Sequence, residues 1–147
     1  MKISENGRKL LIELEGFKNK AYPDSKGLPT IGIGHLIKAN EQQLLTKTLT
    51  DQEVNDLFAQ DIAHAESWIN TNCKWQPNQN QFDAMCSFLH QYHIDSPKYP
   101  NTRKAFVAGN IPEMCRILNS DFNHVDLKKK DGKLVKRRQR ELALFKA

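Results

Sequence analysis

The chain is 147 residues long, 39% apolar and 27% charged, with a formal net charge of +5. This length suits one compact domain that buries a core without disulfides or metal, and it leaves room for two lobes sharing one long element. The charge favours an anionic partner, whether nucleic acid, a membrane surface or a bacterial cell wall, and does not choose among them. Cys73, Cys86 and Cys115 are an odd count, so they read as reduced, packed thiols rather than a disulfide framework. The opening residues lack the continuous apolar run of a secretory signal, and no stretch approaches bilayer length. Any target outside the cell is therefore expected to be reached with help.

Ser4 is a fair N-cap, Ile3 a candidate staple, and Leu10, Leu11 and Leu14 recur at helical spacing before Gly16, so residues 5–15 are expected to form a short amphipathic helix. Residues 16–36 change character. Gly16, Gly27, Gly32, Gly34, Pro23 and Pro29 punctuate the stretch, and Thr30-Ile31-Gly32-Ile33 alternates as a strand does. The expectation is a small sheet of hairpins that must lean on helices.

Thr50 and Glu53 form a capping-box pattern. Val54, Leu57, Phe58, Ile62, Ala65 and Ile69 then follow at spacings of three and four, predicting a long helix over about 51–70. Pro77 is read as the start of another helix, with Phe82, Met85, Cys86 and Leu89 as its apolar stripe. Asn101-Thr102 opens a short helix ended by Gly109, Pro112 begins another over 112–119, Asp131-Gly132 makes a turn, and Leu134 to Phe145 forms the last helix. The whole is α+β: a small sheet near the N-terminus, then a helical bundle.

Three polar residues stand out around the sheet. Glu15 ends the first helix, Asp24 sits on a turn with eight residues between the two, and Thr30 follows on a strand with five residues between it and Asp24. A helix end, a turn and a strand can aim all three into one cleft. Glycoside hydrolysis needs one carboxylic acid to protonate the leaving oxygen and a second carboxylate to activate water or attack the sugar. The acid must keep its proton near neutral pH, which burial against apolar groups achieves. Two carboxylates near a turn are, by themselves, more often solvated surface groups.

The string E-G-F-K-N-K-A-Y-P-D-S-K-G-L-P-T-I-G-I-G-H-L, residues 15–36, strongly resembles the tailed-phage lysozymes, or endolysins, of glycoside hydrolase family twenty-four. Glu, eight residues, Asp, five residues, Thr and then Ile-Gly-x-Gly-His mark that family, and each position is present. More faintly, Thr50 to Ile69 is similar to the family's interlobe helix, Gln81 to Phe88 to its buried central helix, and Leu134 to Arg138 with Glu141 and Phe145 to its final helix.

The resemblance implies a lysozyme-like fold. A small antiparallel sheet lobe (16–50) and a larger helical lobe (71–147 with helix 5–15) would be joined by a long helix (51–70), with the cleft between the lobes. It implies hydrolysis of the β-1,4 bond between N-acetylmuramic acid and N-acetylglucosamine in bacterial peptidoglycan. Glu15 would be the general acid, Asp24 would position water or stabilise positive charge on the sugar, and Thr30 would hold the nucleophilic water. Inversion would then require carboxyls on the order of 6.5–9.5 Å apart. Leu36, His90, Thr102 and Ile117 fall near positions that contact sugar in similar proteins, although the family often has Phe at His90 and a polar amide at Ile117. Arg137 and Arg140 resemble basic residues near the acid. A cation there opposes the raised pKa that a general acid wants, or serves to orient Glu15.

No cofactor or metal is expected, because two carboxyls and water suffice. The resemblance also implies a monomer that accumulates in the host cytoplasm. Holin-type phage lesions would release it to the periplasm and cell wall to end the infection, without binding nucleic acid or inserting stably in the membrane.

Other residues have plainer readings. His35 reads as structural rather than catalytic. By its place in the family, Asp61 is implied as its ion-pair partner, tying the sheet to the long helix, with stability expected to peak between the two titrations. Cys86, His90 and His93 share a helical face but match no strong zinc signature. Trp68 and Trp75 read as partly buried support, Ser25, Ser87 and Ser96 lack the partners of a nucleophile, and Gly32-Ile33-Gly34-His35 lacks the later residues of a phosphate loop. Lys128, Lys129, Lys130, Lys133, Lys136, Arg137, Arg138 and Arg140 cluster within thirteen residues. A nucleic-acid or membrane module is the rival reading of that tract, and a solvated helix face the plain one. Few aromatics interleave it, which weakens the case for stacked single strands.

Overall fold

The computed structural model describes residues 1–92, 98–119 and 133–147. The chain divides into two compact units. Residues 9–64 form the smaller, and residues 1–8 with 65–147 form the larger. The division falls inside the first helix and inside the long one rather than at their ends. No described helix is long and apolar enough to cross a membrane.

Helix α1 covers Glu5–Glu15. Ser4 caps it, its Oγ accepting from the Gly7 N–H at 3.2 Å. Leu10 and Leu11 are buried. The helix closes as the Gly16 N–H reaches the Ile12 carbonyl.

In the smaller unit three antiparallel strands follow, β1 (Lys18–Pro23), β2 (Pro29–Gly32) and β3 (His35–Leu36), in that spatial order. Tyr22 pairs with Thr30 and Thr30 with Leu36, while Ile31 pairs with His35. Directly opposed residues share a face, and neighbours along a strand do not. Tyr22, Thr30 and Leu36 therefore form one row across the sheet, and Ile31 and His35 turn to the other side, where both are buried.

A short 3-10 helix, Ala39–Leu45, follows; no apolar period announces it, and none of its residues is buried. Asn19 then ties β1 to the next segment. Its carbonyl accepts from the Leu49 N–H, and its side-chain amide donates to the Leu49 carbonyl and to Asp51. Helix α2 runs Asp51–Asn72, two residues beyond the expected end. The Thr50–Glu53 capping box forms in both directions, at 3.1 Å each way. Val54, Phe58 and Ile62 are its buried stripe in this unit.

The larger unit is helical. Helix α3 covers Gln79–Gln91, so the start expected at Pro77 moves two residues on. Asn78 is the cap, exchanging hydrogen bonds with Gln81, because its side chain can accept an orphan N–H and proline's cannot. Residues Phe82 to Phe88 are all buried, so α3 is enclosed all round rather than striped. The two polar members have partners: Asp83 accepts from Ser4 and Gln79, and Ser87 donates to Glu141 at 2.6 Å.

Among the described residues the unit continues with helices α4 (Pro100–Ala108), α5 (Ile111–Asn119) and α6 (Lys133–Lys146). Pro100 takes the first position of α4, one residue ahead of the expected Asn101, and Gly109 ends it in the left-handed conformation at φ 68°. Asn110 caps α5 through the Glu113 N–H. The expected turn at Asp131-Gly132, and His93, Ser96 and Lys128 to Lys130, lie outside the described residues.

Candidate active site

Glu15, Asp24, Thr30, His35, Leu36 and Asp61 all fall in the smaller unit. Glu15 is carried on the last turn of α1. Its side chain lies against Gly34, in the tight turn between β2 and β3. A Cβ built on Gly34 would stand 2.7 Å from Glu15 Oε2 and 2.8 Å from its carboxyl carbon. Gly34 also has a φ of +67°, so two independent requirements meet there: a left-handed backbone and no side chain.

Asp24 holds the β1–β2 turn. Its Oδ1 accepts from the Lys26 N–H at 2.8 Å and the Leu28 N–H at 2.9 Å, while its own N–H donates to the Leu28 carbonyl. This is an Asx turn, and it fixes the carboxyl without a side-chain cation. Both of those bonds fall on one oxygen. Thr30 is 3% exposed, and its hydroxyl donates to the Leu28 carbonyl at 3.1 Å. That hydroxyl's single proton is thereby committed, so toward a water molecule Thr30 acts as an acceptor.

The Tyr22 phenol reports on both acids. Burial first, and then the charges of Glu15 and Asp24, push it above its ordinary range. Its hydroxyl reaches the Glu15 carbonyl at 3.4 Å. The sequence reading assigned no role to Tyr22, Gly34 or Glu41. For Tyr22 the available signal was strand pairing, which sets it opposite Thr30.

His35 is held from both sides. Nδ1 stands 2.8 Å from Asp61 on α2, and Nε2 stands 3.0 Å from Glu41 in the 3-10 helix. Two carboxylates require two N–H donors, which is the imidazolium form. The Asp61 hydrogen bond leads in raising the His35 pKa, burial opposes it, and Glu41 adds to the rise. For Glu41, burial favours the neutral acid, but the Lys38 N–H and His35 together hold its pKa below the usual value. Asp61 was the expected partner; Glu41, six residues along in an unpatterned stretch, was not foreseen.

The remaining predicted residues belong to the larger unit. Thr102 and Ile117 are buried, and His90 is half-buried, whereas Leu36 in the smaller unit is 49% exposed. Arg137 is buried: its Nε meets Glu141 at 3.1 Å and its guanidinium donates to the Ser87 carbonyl at 2.9 Å. Arg138 also pairs with Glu141 and Gln91, its guanidinium 4.8 Å from the Phe88 ring centroid. Arg140 is exposed. Part of the basic tract is thus internal framework rather than a solvated face. Trp75 donates to the Phe106 carbonyl at 2.8 Å and lies against Gly109, a supporting role.

A small antiparallel sheet bearing a helix-end carboxyl, a turn carboxyl and a hydroxyl, with a helical second unit, defines the lysozyme class of fold. The phage lysozyme family profile matches residues 12–141. The chain is 34% identical to the endolysin of Salmonella phage P22, over 99% of this chain and 98% of that protein. It is 30% identical to the endolysin of Acyrthosiphon pisum secondary endosymbiont phage 1, over 100% and 99%. A solved variant of P22 lysozyme superposes with a TM-score of 0.75 at 33% identity, covering 100% of this chain and 99% of that one. The chain therefore belongs to the phage lysozyme family. It is a lysozyme-type glycoside hydrolase, a peptidoglycan-lysing enzyme.

Proposed function

We propose that the enzyme cleaves the β-1,4 bond between N-acetylmuramic acid and N-acetylglucosamine with inversion, using Glu15 as general acid. The observation that carries this reading is the seat of the Glu15 carboxyl against Gly34, beside a phenol that also feels Asp24. Glu15 gives its proton to the leaving glycosidic oxygen as positive charge develops on the sugar. The attacking water must shed a proton on the opposite side of the ring. Asp24 and Thr30 both present acceptors: the Thr30 proton is committed to Leu28, and the two turn bonds of Asp24 occupy Oδ1, leaving Oδ2 for water. Water can donate to both oxygens while a lone pair faces the anomeric carbon.

Leu36, in the same row of the sheet as Thr30, supplies exposed apolar surface for a sugar face. The protein acts as a monomer. It is made in the host cytoplasm, is released by holin lesions to the cell wall, and lyses the host at the end of phage infection.

A muramidase assay of wild type beside Glu15→Gln tests the assignment. A fall of about 10²–10⁴-fold is expected for loss of the general acid. Proton NMR of early product should show the α-anomer. Wild-type turnover by E15Q, or early β-anomer, would overturn the reading.

A further inference from the structure

We propose that Tyr22 is a positioning residue for glycan cleavage, because its hydroxyl meets the main chain of Glu15 while its own backbone pairs with Thr30. The inference rests on the assignment of Glu15, Asp24 and Thr30 above and concerns what holds them in register.

The three reacting groups sit on separate pieces of chain: a helix end, a turn and a strand. Two of them are fixed locally. Asp24 is fixed by its turn and Thr30 by the Leu28 carbonyl. Glu15 is the last residue of α1, where the final carbonyls have no helical partner and chain ends fray. The Tyr22 hydroxyl donates to one of those carbonyls, that of Glu15 itself. It does so from β1, one residue before Pro23 and two before Asp24. A single side chain thus connects the backbone bearing the acid to the strand leading into the second carboxyl, opposite Thr30.

The 3.4 Å reach is long for a hydrogen bond. The phenol is also within the field of both acids, as the upward pressure of Glu15 and Asp24 on its ionisation shows. A neutral hydroxyl there steadies the acid's backbone without adding a charge that would disturb proton transfer.

The test compares Tyr22→Phe with wild type in kcat, KM, the pH–rate profile and thermal stability, with Glu15→Gln run in parallel. Tyr22→Phe keeps the ring and removes only the donor. The expected result is a kcat lower by roughly tenfold, KM within about twofold, a displaced pH–rate profile and a nearly unchanged Tm, since small misplacements of a reacting group cost rate steeply.

A second measurement is independent of that variant's folding: NMR titration of the Tyr22 phenol in wild type, Glu15→Gln and Asp24→Asn. Its pKa should fall when either charge is removed. If E15Q is inactive but Y22F has wild-type kcat and pH profile, the positioning role is wrong while the acid assignment stands. If E15Q retains activity, that assignment fails first. A Tyr22 titration indifferent to both carboxyls would also overturn the role.

Discussion

The carboxyl of Glu15 rests on the bare α-carbon of Gly34, so closely that a methyl group would overlap it. Gly34→Ala therefore inserts a group where the acid sits and strains a left-handed backbone by ~1–3 kcal/mol. The expected outcome is a stability loss of that size together with a fall in kcat of about 10²-fold, because the acid must move. Chemical denaturation and muramidase kinetics on one preparation check it. Full activity in a folded variant would show that the seat is unimportant.

Asp24 has two separable duties, holding its turn and supplying a charge. Asp24→Asn retains the oxygen that accepts from Lys26 and Leu28, so its Tm should stay within a few degrees while kcat falls about 10²-fold. Asp24→Ala loses both and should melt lower as well. Equal melting of the two variants would dissociate the turn from the side chain.

The clamp on His35 predicts a particular pH dependence. Its pKa is raised on folding, so its contribution is complete below the unfolded value of about 6.5 and is lost as pH climbs through the folded value. The Glu41 pKa is lowered, so its contribution is complete above about 4.5 and is lost as pH drops through the folded value. Both act together at mildly acidic pH. Asp61→Asn should cost roughly 1.5–3 kcal/mol near pH 5.5 and much less near pH 9. A melting difference that is flat with pH would mean that His35 is neutral in the native protein. Glu41→Gln should flatten the acid limb more than the alkaline one.

Glu141 is fully buried among Ser87, Arg137 and Arg138. Removing it leaves two guanidinium groups without their shared counter-charge. Glu141→Ala should destabilise the larger unit by about 3–5 kcal/mol. Urea titration measures the loss, and a cost below 1 kcal/mol would mean that water enters to replace the carboxylate.

Much of the architecture was legible because its signals are local. The Ser4 cap, the Thr50–Glu53 box and the glycine after α4 each act within a few residues, and all three mark observed boundaries. Pro77 suits a first helical turn, but the neighbouring Asn78 can cap, so α3 begins two residues later than the proline suggests. The 3-10 helix at 39–45 was invisible because it buries nothing and so has no apolar period. In the site, the family motif over residues 15–36 marks Glu15, Asp24 and Thr30, where the spacing of two carboxylates and a hydroxyl by itself would not. Their supports, Tyr22, Gly34 and Glu41, depend on strand register and on contacts that no linear pattern encodes. Asp83 and Ser87 were likewise hidden, since their burial is made tolerable by partners on distant segments, Ser4 and Glu141.

The cysteines carry a consequence for handling. None is in a disulfide; burial pushes the Cys73 thiol up to about 11 and the Cys86 thiol higher still. At neutral pH almost none of either is thiolate, the form that attacks disulfides or oxidants. Ellman's reagent should label both slowly in the native protein and rapidly in urea. At these two positions, then, exchange with oxidised glutathione is slow for as long as the protein stays folded.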